Sequence, residues 1–303
     1  MIRFYDIIKS VLRLVLENMA GLKTRKLYTE YKKRLIKTWN EIAPRYHRRW
    51  AKDGVGPFKS TDEIIKLAQI RHGDTVLDVA CGTGAVTKKI LSKIGPQGRV
   101  VGIDSSQTAI YIAKNYVKNK SADFIIADAE CIHFNEKFDK VTCQYALFFF
   151  PDSQKVLRNI KRCMKNNGTL ALAVHGNGNA VPFFSSIVDV VTKFIPDYLP
   201  KGAPSLDRFG TIQELKREAV KAGFSNIKIM QYQYKYSPGT FAEYWKNYLR
   251  YLATPLKQKI CELEKKDLKQ MKEEIRTKTM PFTKKDGRIV FPWKVLILVA
   301  KKP

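Results

Sequence analysis

From Thr75 onward, short runs of apolar residues alternate with segments in which apolar residues recur at helical spacing. The apolar runs predict five strands, with the sequences TVLDVA, RVVGID, ADFIIADA, FDKVTCQYA and GTLALAVH. The segments between them predict helices, including one over QTAIYIAKNYVKN that Ser105 or Ser106 can cap. Strands that are apolar throughout and that alternate with helices indicate a parallel sheet covered on both faces.

Beyond His175 the pattern changes. A helix rich in Phe and Val follows a flexible GNGN joint, and a long loop with several Pro and Gly residues occupies positions 196–210. The segment TIQELKREAVKAG predicts another helix, and FSNIKIMQYQYKY predicts a strand with alternating polarity. Positions 240–278 are helical in pattern and highly charged, and GRIVFPWKVLILVAKKP predicts the last strand.

The N-terminal segment predicts an amphipathic helix. Charged residues interrupt it too often for a signal-peptide core or a transmembrane span. We expect this helix either to pack on its own domain or a twin subunit, or to lie on an anionic membrane surface through residues 1–35. The apolar residues at helical spacing are Phe4, Ile7, Ile8, Val11, Leu12, Val15, Met19 and Leu22.

Composition adds a strong positive charge. The 303 residues carry a formal net charge of +27, most of it outside positions 61–175. Such a charge fits a lysine-rich solvated surface, an anionic membrane or nucleic acid. The five cysteines are odd in number and form no C-x-x-C pair, which favours a reduced, cytoplasmic protein and predicts no metal site.

The stretch TVLDVACGTGAVTKKI places a Gly-rich loop after the first strand. Gly82 and Gly84 match two positions of a dinucleotide-binding fingerprint, but Thr87 stands in place of its third glycine, and no Walker lysine follows. Asp104 ends the second strand, 20 residues beyond Gly84, where a carboxylate can hold two ribose hydroxyls. Asp128 ends the third strand and can accept a hydrogen bond from an adenine amino group.

Asp78 immediately precedes the loop. Its charge would repel a pyrophosphate but suits an ammonium group. The residues therefore predict a ligand that combines adenine, a free ribose and an amino-acid tail, which is S-adenosylmethionine.

With these motifs in order, residues 35–303 resemble the class I S-adenosylmethionine-dependent methyltransferases. The likeness is strongest to the small-molecule branch related to the ubiquinone and menaquinone C-methyltransferases. It rests on LDVACGTG, VVGIDSS, ADAE, FDKVTCQYALFFFPD, RCMKNNGTLALAV and AGFSNIKI, with Ala80 where the family often has its first glycine. The resemblance implies a doubly wound, Rossmann-like α/β fold with seven mostly parallel strands, helices on both faces, an N-terminal helical extension and a helical lid insertion before the last strand.

The resemblance also implies which residues bind S-adenosylmethionine. The Gly-rich loop would line the methionine and ribose parts of the cofactor through Ala80, Cys81, Gly82 and Gly84. The end of the second strand would hold the ribose through Asp104 and Ser105, and the end of the third strand would meet the adenine through Asp128 and Ala129. The end of the fourth strand would lie beside the sulfonium with Gln144 and Tyr145, and Tyr46, in WNEIAPRYHRRW, would close over the cofactor.

Methyl transfer from a sulfonium needs positioning and exclusion of water more than it needs acid–base chemistry. A base is required only if the acceptor must lose a proton, and His175, at the end of the fifth strand, is the best candidate. The segments 145–151, 176–210 and 240–282 are rich in aromatic residues. They predict a pocket for a hydrophobic or aromatic small-molecule acceptor, which could be quinone-like, lipid-like or phenolic.

We therefore expect an N-terminal extension over residues 1–38, a donor-binding core over 39–175, and an acceptor-binding part over 176–303 that includes a lid at about 240–280. The charge leaves an RNA methyltransferase as an alternative, although QYALFFFPD lacks the N/D-P-P-Y/F motif of base-amino methylation. A non-catalytic, membrane-associated module that binds S-adenosylmethionine is a further alternative. We expect a cytoplasmic protein, peripheral at the membrane if the first helix binds lipid, and an oligomer is compatible with the sequence.

Overall fold

The computed structural model describes residues 4–52, 54–199, 201–205 and 207–303, and among these it leaves out the side chains of 4–23, 57 and 251. Seven strands form one sheet in this part of the chain. They are β1 Thr75–Val79, β2 Arg99–Asp104, β3 Ala122–Ile126, β4 Phe138–Gln144, β5 Met164–His175, β6 Ser225–Thr240 and β7 Arg288–Lys301. The predicted α/β fold is confirmed.

The strand order is β3-β2-β1-β4-β5-β7-β6. Strands β1 to β5 are parallel to one another, whereas β7 runs antiparallel to both β5 and β6. The chain therefore builds the sheet outward in one direction through β2 and β3 and then returns to place β4 on the other side of β1. Such a reversal opens a crevice at the carboxyl ends of β1 and β4, where open α/β sheets bind their ligands.

Helices surround the sheet. Those of the core are α2 Thr61–Leu67, α3 Ala85–Ile94, α4 Gln107–Val117, α5 Ser153–Cys163, α6 Pro182–Phe194 and α7 Ile212–Lys221. Between β6 and β7 lie α8 Phe241–Tyr251, α9 Thr254–Cys261 and α10 Lys265–Thr279, where the sequence predicted a helical insertion. A second hydrophobic cluster joins this insertion to α6 and to the start of β7, through residues such as Met271, Val190 and Phe291.

The N-terminal helix is longer than its apolar pattern predicted. Helix α1 runs without interruption from Phe4 to Tyr46, across the expected boundary at residues 38 and 39, and a π-helical turn, His47–Ala51, follows it. The amphipathic face expected over residues 4–22 lies outside the described side chains. From residue 24 onward α1 packs on the core, because Tyr31 and Ala43 are buried and Asn40 accepts hydrogen bonds at the start of α4.

Short connecting helices complete the fold. The 3-10 helices are Gly56–Ser60, Leu147–Phe149 and Met280–Phe282. No helix among the described residues is long and apolar enough to cross a membrane.

Candidate functional site

A pocket opens at the carboxyl ends of β1, β2 and β3, beside the reversal in strand order. Five residues predicted to bind S-adenosylmethionine line it together, namely Ala80, Asp104, Ser105, Asp128 and Ala129. Helix α1 forms another wall with Lys32, Leu35 and Ile36, and Phe149 and Phe150 close a third side. Strand ends that are far apart in the sequence are thus brought to one place by the parallel sheet.

The loop after β1 is held by its own backbone and by Asp104. The amide of Gly82 donates to Asp104 Oδ2 at 2.9 Å, and the amide of Ser106 donates to Oδ1 at 2.8 Å. Gly82 has φ +55°, and a Cβ built on it would meet no atom within 4 Å. The loop therefore presents bare backbone to open space, as a cradle for a ligand requires.

Asp104 is buried, and burial raises the pKa of its carboxyl group. Among the described residues it has no cationic partner, since backbone amides are its only hydrogen-bond donors there. A carboxylate can accept about four hydrogen bonds, so acceptor capacity is left for the two hydroxyls of a ribose. Together with the open cradle at Gly82 and a second carboxylate at Asp128, this arrangement fits the adenosine part of S-adenosylmethionine.

Asp78 is held by two hydroxyl groups. Its Oδ2 accepts a bond from Thr87 Oγ1 at 2.7 Å, and its Oδ1 accepts one from Thr142 Oγ1 at 2.8 Å. The side chain is 1% exposed and does not line the pocket. Asp78 therefore ties α3 and β4 to β1 beneath the loop, and its contact with an ammonium group stays a prediction.

The stability of the protein should depend on pH through Asp78. Burial raises the pKa of Asp78 from 3.8 to about 6, so the folded state holds this proton more tightly than the unfolded state does. The free energy of unfolding should then fall as the pH rises from about 4 to about 6, by about 3 kcal/mol from this group. Asp78→Asn should lack this fall, as measured by urea denaturation across the range.

A matched variant tests the origin of that pH dependence. The hydroxyl of Thr142 lowers the pKa of Asp78, so Thr142→Val should move the fall in stability to higher pH. If the free energy of unfolding falls with pH by the same slope in the wild type and in Asp78→Asn between about pH 4 and 6, the pH dependence does not come from Asp78.

Two positions next to the crevice hold strained backbone. Ala80 has φ +53° and Tyr145 has φ +57°, in the left-handed region that favours glycine. The resemblance places Ala80 where that family often has glycine, and the backbone at this position adopts the glycine-like conformation. Non-glycine residues in this region cost free energy and cluster at functional sites, which supports placing the site here.

Gln144 and Tyr145, predicted to lie beside the sulfonium, are bound to the first residue of α2 and to the residue before it. Gln144 is 8% exposed, accepts from Thr61 Oγ1 and donates to Ser60 Oγ, each at 3.1 Å. The hydroxyls of Tyr145 and Ser60 are 2.6 Å apart. These bonds fix the end of β4 next to the crevice, but neither side chain lines the pocket described above.

Cys81 and Tyr46, also predicted as cofactor-binding residues, lie at the borders of the site. Cys81 is buried under the loop, and burial raises the pKa of its thiol well above the usual value. The ring of Tyr46 meets Trp39 edge to face at 5.2 Å and Phe58 at 5.9 Å. Gly84, the last predicted loop residue, precedes α3 with φ +86°.

Lys32 is a site residue that the sequence did not reveal. Its Nζ lies 2.8 Å from Asp128 Oδ2 and 2.6 Å from Glu130 Oε2, and Asp128 Oδ1 accepts from the amide of Glu130. Helix α1 is thereby tied to the strand end that was predicted to recognise adenine. Nothing in the local pattern around Lys32 distinguishes it from the basic residues beside it, because its partners are 96 and 98 positions away.

Replacing Lys32 should weaken the docking of α1. Lys32→Met leaves Glu130, which is 7% exposed, without its cationic partner, so the free energy of unfolding should fall by about 1–2 kcal/mol in urea denaturation. Lys33→Met is the matched control, because Lys33 is exposed on the same helix and should change stability by less than about 0.5 kcal/mol. Equal effects of the two substitutions would show that the Lys32 contacts do not hold α1.

His175 lies at the carboxyl end of β5, as predicted, but its surroundings oppose the role of a general base. Burial lowers the pKa of its imidazole to about 3, so the ring is a weak proton acceptor near neutral pH. Trp293 Nε1 donates to His175 Nδ1 at 3.1 Å, which occupies one ring nitrogen. The ring of Tyr145 stacks on the imidazole at 4.2 Å, and Phe148 and Phe184 are also in contact with it.

Comparison with known proteins gives matches to methyltransferases. Residues 70–195 match a family described as a methyltransferase domain. The demethylmenaquinone methyltransferase of Listeria welshimeri is 30% identical over 204 residues, which cover 63% of this chain and 83% of that protein. The ubiquinone/menaquinone biosynthesis C-methyltransferase UbiE of Francisella tularensis subsp. novicida is 26% identical over 229 residues, or 66% of this chain and 87% of that protein.

Solved structures support the fold. The crystal structure of the YcgJ protein from Bacillus subtilis aligns with a TM-score of 0.54 at 20% sequence identity, and the alignment covers 81% of this chain and 99% of that chain. At this identity the structural likeness supports only the arrangement of strands and helices, and the evidence for the chemistry comes from the sequence matches.

Proposed function

This chain belongs to the class I S-adenosylmethionine-dependent methyltransferases, in the family of the demethylmenaquinone and ubiquinone/menaquinone C-methyltransferases, and from that premise we propose that it methylates a quinone-like aromatic small molecule. The observation that carries the proposal is the 30% identity to the Listeria welshimeri enzyme, over 83% of that enzyme. The aromatic side chains around the ends of β4 and β5 support it, because an apolar, aromatic wall suits a planar ring. The same matches do not favour an RNA acceptor or a non-catalytic module.

S-adenosylmethionine supplies, when bound, a methyl group activated by its sulfonium. We assign the ribose to Asp104 with Ser105, the adenine to Asp128 with Ala129, and the approach of the amino-acid end to the backbone of Ala80 and Gly82. The rings beside His175 exclude water from the reacting atoms. A ring carbon of an electron-rich hydroquinone can displace the methyl group from the sulfonium, with S-adenosylhomocysteine as the leaving group, and the proton that the ring then loses passes to water, so the chain needs no strong base of its own.

The proposal is tested by mixing the protein with methyl-labelled S-adenosylmethionine and three separate acceptors, namely reduced demethylmenaquinone, total tRNA and a protein extract. We expect label in the organic-soluble quinol fraction, and a loss of that label when Asp104 is replaced by alanine. Label in tRNA alone would instead establish the RNA alternative, and binding of S-adenosylmethionine without transfer to any acceptor would support a non-catalytic module.

If the acceptor is lipid-soluble, the N-terminal segment can serve to bring the enzyme to the membrane that contains it. We propose that the protein is cytoplasmic and that residues 1–35 attach it to anionic membrane, because the segment combines apolar residues at helical spacing with a basic stretch that follows them. An acceptor dissolved in the bilayer would then be within reach of the site.

Flotation with liposomes tests the attachment. The full chain should float with vesicles of phosphatidylcholine and phosphatidylglycerol, and much less with phosphatidylcholine alone. A variant without residues 1–22 should stay at the bottom of the gradient, although it keeps the described contacts of Lys32 and Asn40. If the full chain does not float with vesicles but forms dimers, and if deletion of residues 1–22 abolishes these dimers, the segment binds a twin subunit instead.

A further inference from the structure

The imidazole of His175 is enclosed by aromatic rings on several sides. Tyr145 lies parallel to it, with ring centroids 4.2 Å apart and an interplanar angle of 11°. The rings of Phe148, Phe184 and Trp293 each lie 5.4 Å from it at steeper angles. The orientation of the imidazole is therefore fixed by packing, and no charged side chain contributes to the lowering of its pKa.

The bond from Trp293 decides which ring nitrogen of His175 carries the proton. An indole Nε1–H can only donate, so His175 Nδ1, 3.1 Å away, must be the acceptor. A neutral imidazole that accepts at Nδ1 carries its proton on Nε2. Trp293 is 1% exposed and belongs to β7, which pairs with β5 up to His175, so the sheet itself holds this donor in place.

The imidazole of His175 keeps one ring nitrogen unpaired. Among the described residues the hydrogen bond from Trp293 is made to Nδ1, and Nε2 has no partner there. His175 is half-buried and its neighbour Phe184 is 39% exposed, so this part of the aromatic cluster borders solvent.

We propose that Trp293 is a positioning residue that holds His175 as its Nε2–H tautomer, and that this N–H donates a hydrogen bond to an oxygen on the aromatic acceptor. The assignment rests on the proposed function for the presence of an acceptor, but the tautomer follows from the described contacts alone. A fixed donor selects a ring with a carbonyl, hydroxyl or phenolate oxygen at this edge, over an unsubstituted ring of the same size. His175 thus orients the acceptor and discriminates between acceptors with and without an oxygen at this edge, and it does not remove a proton.

The tautomer is tested by nitrogen-15 NMR of the full chain. The chain has four histidines, so the His175 signal can be assigned by its loss in His175→Phe. We expect a neutral Nε2–H imidazole that does not titrate between about pH 5 and 8, and a mixture of tautomers in Trp293→Phe, which keeps a ring but removes the donor. An Nδ1–H tautomer, or a His175 that titrates near its ordinary pKa in the wild type, would overturn the proposal.

The contact with the acceptor is tested by binding of 1-naphthol and naphthalene, which differ by one hydroxyl, in equilibrium dialysis. The wild type should bind 1-naphthol roughly three- to tenfold more tightly than naphthalene. His175→Phe should remove this preference, His175→Gln should keep part of it through its amide N–H, and His133→Phe, at an exposed histidine, should leave it unchanged. An undiminished preference in His175→Phe would overturn the contact.

The two proposals fail in different ways. If reduced demethylmenaquinone is not methylated while the tautomer and the naphthol preference are as expected, the proposed acceptor is wrong and the role of His175 stands. If methylation proceeds and His175→Phe changes neither the preference nor the KM for the quinol, the role of His175 is wrong and the proposed function stands.

Discussion

Replacing Asp104 with alanine is expected to weaken the binding of S-adenosylmethionine by roughly 100-fold or more, measured by isothermal titration calorimetry. The buried carboxylate has no cation beside it in the described structure and is held by the amides of Gly82 and Ser106, so it keeps acceptor capacity on a residue that lines the pocket. Two hydrogen bonds from ribose hydroxyls to a charged acceptor contribute about 3 kcal/mol or more together. Alanine removes both bonds, and it also frees the amide of Gly82 that shapes the cradle.

Two further variants separate binding from folding. Asp104→Asn keeps the shape and one acceptor oxygen, so its loss of affinity should be smaller than that of alanine. Asp123→Asn changes an exposed carboxylate on the neighbouring strand and should bind like the wild type. If thermal unfolding shows that Asp104→Ala is folded and the variant still binds S-adenosylmethionine as tightly as the wild type, the proposed site is wrong.

The fold could be predicted because the period of the apolar pattern reports directly on strands and helices. The alternation of apolar strands with helices predicted the parallel strands, but the pattern of the last strand does not give its direction, so the antiparallel pairing of β7 comes from the structure. The apolar spacing marked α1 only as far as Leu22, and the helical extension was expected to end at residue 38. The helix continues to Tyr46, and Tyr31, Asn40 and Ala43 pack on the core along it.

The residues of the site also fall into two groups, those whose position a local sequence pattern reveals and those whose surroundings it does not. The placement of Ala80, Asp104 and Asp128 at one pocket could be predicted because they stand at the ends of parallel strands, which the topology brings together, and their contact with the cofactor stays a prediction. The roles of other residues depend on partners distant in the sequence. Asp78 is engaged by Thr142, 64 positions away, and His175 by Trp293, 118 positions away. No local pattern contains such pairs, so the sequence could not show that Thr142 holds the first residue or that Trp293 occupies a ring nitrogen of the second.

Replacing Gly84 with alanine is expected to lower the free energy of unfolding by about 2–4 kcal/mol, measured by urea denaturation. The residue has φ +86°, and its new Cβ would lie 2.9 Å from Val117 Cγ2 and 3.2 Å from Ala113 Cβ on α4. A left-handed alanine costs about 1–2 kcal/mol, and the overlap with a stiff β-branched side chain adds a similar amount. The loop glycine at this position therefore serves the packing of α4 against the loop.

Gly82→Ala is the matched comparison, because Gly82 also has a positive φ but its new Cβ would meet no neighbouring atom. With φ +55° and no atom within 4 Å, it should cost about 1–2 kcal/mol of stability from backbone strain alone. Its Cβ would project into the cradle, so it should weaken binding of S-adenosylmethionine more than Gly84→Ala does. Val117→Ala should restore part of the stability lost in Gly84→Ala and none of that lost in Gly82→Ala. Equal losses of stability in the two glycine variants would show that strain, rather than contact with α4, sets the requirement for glycine at position 84.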